Sequence, residues 1–220
     1  MKKLQKLNMD ELSENYEIVD EINKRKIRGG SYYYDRDGNY LGSVGMDGLL
    51  RIVDQTQYDY ATAFHIDGMG YSLREALDNP DTSAGAWNLI ASMLPEGSYS
   101  NVDRWASYLG IAGFVTDSSG TTFYINPYDP SWNYYHNVKS TMQHEAYHHY
   151  SGHNQYGTPK DQQILNEIDA LMSQVNTLEY LHTTFQYKQG LASSLFEFWN
   201  LACFTGIGYD LGDAQRICKC

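Results

Sequence analysis

His144, Glu145 and His148 read H-E-A-Y-H. On an α-helix, residues four apart share a face, one turn above the other. Two imidazoles at that spacing present their nitrogens to a single point. Imidazole is a good Zn2+ ligand, and two supply half of a tetrahedral set. Glu145, beside the first, stands where a carboxylate can take a proton from water held at such an ion. The implied chemistry is metal-assisted hydrolysis. The motif is short, so the rest of the chain must supply a third ligand, an open position and a frame.

The residues near enough in sequence to complete the set are His149, His153, Glu167 and Asp169. His149 follows His148 directly and points about 100° away around a helix. His153 reaches the same point only if the helix stops sharply at Gly152. Glu167 fits best. It lies in Asn166-Glu167-Ile168-Asp169-Ala170, on a helix expected to start at Thr158-Pro159, where Thr158 suits the N-cap and Pro159 the first turn. A helix, a loop over 152–157 and a second, antiparallel helix return Glu167 to the histidines. Ile168, Leu171 and Met172 give the second helix an apolar face to pack.

His144-Glu145-x-x-His148 with Asn166-Glu167-x-x-Ala170 resembles the gluzincin, or thermolysin-like, zinc metallopeptidases over roughly residues 138–172. The resemblance implies Zn2+ bound by His144, His148 and Glu167, with Glu145 as general base in peptide-bond hydrolysis. It also implies a zincin-like α+β fold, with a small antiparallel sheet before the active-site helix and further helices after it. Where that family often carries an Asp four residues after the third ligand, this chain has Leu171. The transition state also needs an oxyanion donor. Tyr180, His182 and Tyr187 lie downstream of the second helix, and His182 is the choice among them. Strand 121–126, just before the active-site helix, is expected to offer an edge to an extended peptide or protein substrate. The alternative to an enzyme is a zincin-like, non-catalytic binding module or a secreted toxin component.

Charge narrows the partners. The net charge of -11 argues against nucleic acid, which rewards Lys and Arg clusters, and against anionic membranes. No run of apolar residues is long enough for a membrane span. The hydrophobic share of 42% and the length of 220 residues suit one substantial globular domain. The 20 tyrosines suit half-buried sheets and wet surfaces, or a surface for extended polymers. Cys203, Cys218 and Cys220 are odd in number and give no disulfide framework; the reading assigns them no metal role.

Residues 1–30 stand apart from the domain expected over 31–220. Leu12, Tyr16, Val19 and Ile22 recur at helical spacing, and Gly29-Gly30 ends the segment. No apolar core follows the N-terminal lysines, so this is not a general secretory signal. Gly29-Gly30, Ile27, Val19 and the amphipathic stretch resemble the double-glycine leader of bacterial peptides exported by peptidase-containing ABC transporters. Asn23 and Lys24 depart from that pattern. The resemblance implies a secreted protein; the other reading is a plain N-terminal helix capped by glycine, on a cytoplasmic protein.

The remaining elements are read from pattern. Ser31 to Gly42, with Asp35-Arg36-Asp37-Gly38-Asn39 at its centre, is a hairpin. It resembles the hairpin repeats of bacterial polymorphic toxins and related secreted proteins. Residues 49–53 and 62–66 are strand candidates, 83–94 a helix and 103–109 a short helix. Residues 113–116 and 121–126 form a second hairpin. Residues 134–150 carry the metal motif on a helix, the next helix runs to about Tyr180, and 191–204 is a last apolar helix.

Overall fold

A computed structural model describes residues 30–45, 47–94, 99–104, 111–118, 120–151 and 159–205. Among them lie seven α-helices and two three-stranded sheets, an α+β arrangement. Residues 1–29, most of the leader-like segment, and Cys218 and Cys220 fall outside the described residues.

The first sheet comprises β1 (Ser31–Tyr34), β2 (Tyr40–Val44) and β3 (Leu50–Ile52), ordered β2-β1-β3. The expected hairpin joins β1 to β2. The Asp35 carboxylate closes it by accepting from the backbone N–H of Asp37 and of Asn39 and from the Asn39 side chain. Gly38 takes a positive φ of 90° at the turn, the conformation the Asp-Gly pair foretells. The hairpin then seats on α3 (Ser83–Met93), where any side chain at Gly85 would run into the Arg36 carbonyl. β3 pairs parallel with β1, so the sheet is mixed where an antiparallel one was expected.

Between the sheets run α1 (Gln55–Phe64), α2 (Leu73–Asp78) and α3. Residues 62–66 are not a strand. A capping box of Asp54 with Gln57 opens a helix at Gln55, Ala61 is its buried residue, and His65 stops it in the left-handed region. Local capping here overrides the β-branched and aromatic residues at its end.

The second sheet holds β4 (Asn101–Arg104), β5 (Ala112–Asp117) and β6 (Gly120–Ile125), ordered β4-β6-β5. Two expectations change. Asp103 and Arg104 belong to a strand parallel to β6, with Asp103 opposite Tyr124 and Arg104 opposite Ile125, and not to a helix. Residues 105–109 of that expected helix lie outside the described residues. β6, offered above as a docking edge, is the central strand and has neither edge free.

A 3-10 turn, Pro130–Asn133, buries Trp132 and delivers the chain to α4 (Tyr135–Tyr150). Tyr134 bridges to Leu49, and the Tyr135 N–H donates to the Gly48 carbonyl at 3.0 Å, so the first sheet holds the start of α4. Val138 and Met142 press α4 into a core shared with Leu50, Ile52, Leu89, Ile90, Phe123 and Ile125. Then follow α5 (Pro159–Val175), α6 (Leu178–Leu181) and α7 (Phe185–Thr205). The helix expected to continue to Tyr180 stops at Val175. Thr177 caps a separate short helix there, accepting from the Tyr180 N–H at 3.3 Å. A second core of Ile164, Ile168, Leu171, Leu195 and Ala202 joins α5 to α7. No helix among the described residues is long and apolar enough to cross a membrane.

Candidate metal centre

α4 and α5 pack with early residues of one against late residues of the other. Ser140 meets Gln174, while His144 and His148 meet Glu167. That order is the signature of antiparallel helices, and it brings the three expected metal ligands together.

Their donor atoms lie within 4.8 Å of one another, with one Glu167 oxygen facing each imidazole. The Nε2 atoms of His144 and His148 are 3.1 Å apart. His144 Nε2 is 3.4 Å from Glu167 Oε2, and His148 Nε2 is 3.5 Å from Glu167 Oε1. Nitrogen and oxygen ligands on a tetrahedral zinc at about 2.0–2.2 Å stand roughly 3.3–3.6 Å from one another. The three residues can therefore hold one ion once the histidines separate slightly and the Glu167 carboxylate turns one oxygen, or both, toward it. The group is among His, Cys, Asp and Glu clusters able to hold a metal ion. Its side chains keep 13, 19 and 28% of their surface exposed for His144, His148 and Glu167.

The electrostatics follow from these contacts. Burial alone pushes the Glu167 carboxyl up, but the two facing imidazoles outweigh it and pull its pKa down to about 2. Burial pushes the His148 imidazole down, and Glu167, then Glu145, outweigh it and raise its pKa. Glu145 is only 7% exposed, and this burial pushes its pKa up against the attraction of His144 and His148. A carboxylate made more basic in this way, next to the metal ligands, suits a proton acceptor.

The other sequence candidates lie elsewhere. Asp169 is on α5 but outside the donor group. His149 is exposed, with its ring 4.9 Å from that of Tyr150. His153 falls outside the described residues. His182 ends α6 and places its exposed ring 5.0 Å from that of His136. His136 is eight residues before His144, about 12 Å down the helix axis, so His182 packs at the far end of α4 from the donors. Lys188 reaches over the Tyr180 ring at 5.4 Å. Leu171, where an Asp was looked for, is buried in the α5–α7 core. His144 Nδ1 is buried with no hydrogen-bond partner among the described residues, so no carboxylate there orients this imidazole.

Sequence reasoning missed the polar layer beneath the donors. Gln174 Nε2 donates toward the Ser140 carbonyl and hydroxyl, both at 3.0 Å, and toward the Tyr187 hydroxyl at 2.8 Å. The Tyr187 hydroxyl also shares a 2.7 Å hydrogen bond with Thr141. Burial pushes the Tyr187 phenol up to about 12. The available signal was spacing: Gln174 follows Glu167 by two turns, and Ser140 and Thr141 precede His144 and Glu145 by one.

No protein-family model, no curated protein and no solved structure matches this chain.

Proposed function

We propose that the chain is a zinc-dependent hydrolase of the gluzincin kind, cleaving peptide bonds in a peptide or protein substrate. The observation that carries this reading is the convergence of His144, His148 and Glu167 beside the buried carboxylate of Glu145. Two imidazoles and one carboxylate form the three-ligand donor set of catalytic rather than four-ligand structural zinc.

His144, His148 and Glu167 would hold the ion. An ion held there would supply a Lewis acid and lower the pKa of a water to about 7. Glu145 is the group that would take the proton from the attacking water and return it to the leaving amine. Tyr187 is engaged by Thr141 and Gln174, and His182 packs on His136, so the oxyanion role is given to neither. Secretion through the leader-like segment is a separate proposal; the mass of the protein recovered outside its host tests it, and an intact Met1 end removes it.

Metal analysis and a peptide-cleavage assay test the reading together. The purified protein should carry about one zinc per chain. Glu145→Gln should keep the metal and lose roughly 100-fold or more of the hydrolysis rate. Zinc bound without turnover that depends on Glu145 would replace the peptidase with a metal-binding module. Zinc content unchanged in His144→Ala would end the metal reading altogether.

A further inference from the structure

We propose that Gln174 is the positioning residue of this metal centre, holding α5 in register so that Glu167 meets the two histidines. The inference rests on the metal reading above and concerns residues that the reading does not use.

The geometry of the α4–α5 seam supports it. Gln174 is 1% exposed, and its neighbours Ser140, Thr141 and Tyr187 are all buried. The Gln174 Nε2 bonds are buried and costly to lose, although its Oε1 has no partner among the described residues, so the helix pair can slide only by breaking them. One of its acceptors is the Ser140 backbone carbonyl, which in a regular helix also receives the N–H of His144. Gln174 thus grips α4 one turn before the first ligand. On its own helix it is two turns after Glu167, so the two side chains point to the same side. A slip of one residue along α5 would carry Glu167 about 1.5 Å along the axis and about 100° around it, out of reach of the imidazoles.

The same layer reaches the base. Thr141 lies one turn before Glu145 and is tied through Tyr187 to Gln174, so α4, α5 and α7 meet at one polar knot. Apolar contacts do not set register so tightly, because they are non-directional. No carboxylate among the described residues orients His144 through its Nδ1; the Gln174 layer fixes the backbone position of the helix turn before it.

The test measures metal affinity of the full-length, metal-stripped protein by competition with a zinc chelator, and the visible spectrum of the Co2+-loaded form. Gln174→Leu keeps the bulk and removes the donors; Tyr187→Phe removes one hydroxyl from the same knot. Both should bind zinc roughly 10- to 100-fold more weakly than wild type and give an altered Co2+ spectrum. Ile168→Val, which trims the α5–α7 core, should keep zinc affinity within about 2-fold, showing that lost stability alone does not weaken the site. Wild-type affinity and spectrum in both polar variants, with Glu167→Ala impaired, would overturn the positioning role and leave the metal reading standing. A wild-type chain that binds neither zinc nor Co2+ would overturn both.

Discussion

Two histidine pairs lie at opposite ends of α4, and their surroundings push His136 of one and His148 of the other in opposite directions. Near the start of the helix, His136 faces His182 with ring centres 5.0 Å apart. Burial, then the neighbouring imidazole, hold the His136 pKa down at about 4, against the pull of Glu179. Near the end, His144 and His148 face Glu167, and the carboxylate overcomes burial to raise His148. Both regions contain histidine and glutamate. The difference is where the carboxylate points. Glu167 meets both imidazoles, whereas Glu179 accepts a hydrogen bond from Gln143 at 3.0 Å. A metal centre needs convergence of donors, and composition alone does not provide it.

The largest effect that tests this contrast is on metal affinity. Glu167→Ala removes a donor at one end of α4, and zinc affinity should fall by more than the roughly 100-fold upper range seen for an outer-shell partner. His182→Ala, at the other end, should leave zinc affinity unchanged. Chelator competition on the two variants checks both. Comparable losses would erase the distinction between the two pairs.

A middle-sized effect lies in stability. Asn137 is buried, and it exchanges two hydrogen bonds with Thr184: its amide donates to the hydroxyl at 3.1 Å, and its carbonyl accepts the backbone N–H at 3.0 Å. Asn137→Ala leaves that N–H unsatisfied and should cost about 1–3 kcal/mol in chemical denaturation. Zinc binding should persist, because the α4 stretch from Ser140 to His148 keeps its own partners on α5. Loss of zinc from Asn137→Ala would mean that the two ends of α4 are coupled.

Legibility in sequence divides along the same line. The donors were readable because they follow one rule each: four residues on one helix face for the histidines, and an amphipathic helix packed antiparallel to the first for Glu167; the loop expected over 152–157 lies outside the described residues. Local capping, turns and periodicity also placed the first hairpin, α3, α4 and the start of α5. What was not readable depends on distant partners. Asp103 and Arg104 became strand by pairing with β6, about twenty residues on, and β6 became central only because β4 joined it. His182 packs on His136 because α5 ends at Val175; α6 and the link after it then lie along α4, held by Gln143–Glu179 and Asn137–Thr184. The buried Gln174 layer escaped notice because a mid-helix glutamine has no motif; its partners appear only once the helices are packed.

The smallest effect concerns protons at the first histidine pair. An unfolded histidine titrates near 6.5, and folded His136 near 4. Between these values the unfolded chain binds the additional proton, so stability rises with pH across that window. Acidification from about 6.5 toward 4 should therefore erode stability, with no further loss from this residue below about 4. His136 is only partly buried, so the contribution is modest. His136→Gln removes the titrating group and keeps a polar partner for the Tyr32 hydroxyl, which lies 3.0 Å from His136 Nε2. Denaturation at pH 4.5 and 7 should show a smaller acid loss in the variant than in wild type. His182→Ala sharpens the point: with the second imidazole gone, the His136 ring resonance should titrate higher than in wild type, yet still below 6.5, because burial is the larger cause and remains. A wild-type His136 that already titrates near 6.5 in NMR would show that solvent reaches the ring, and the contrast between the two ends of α4 would then rest on Glu167 alone.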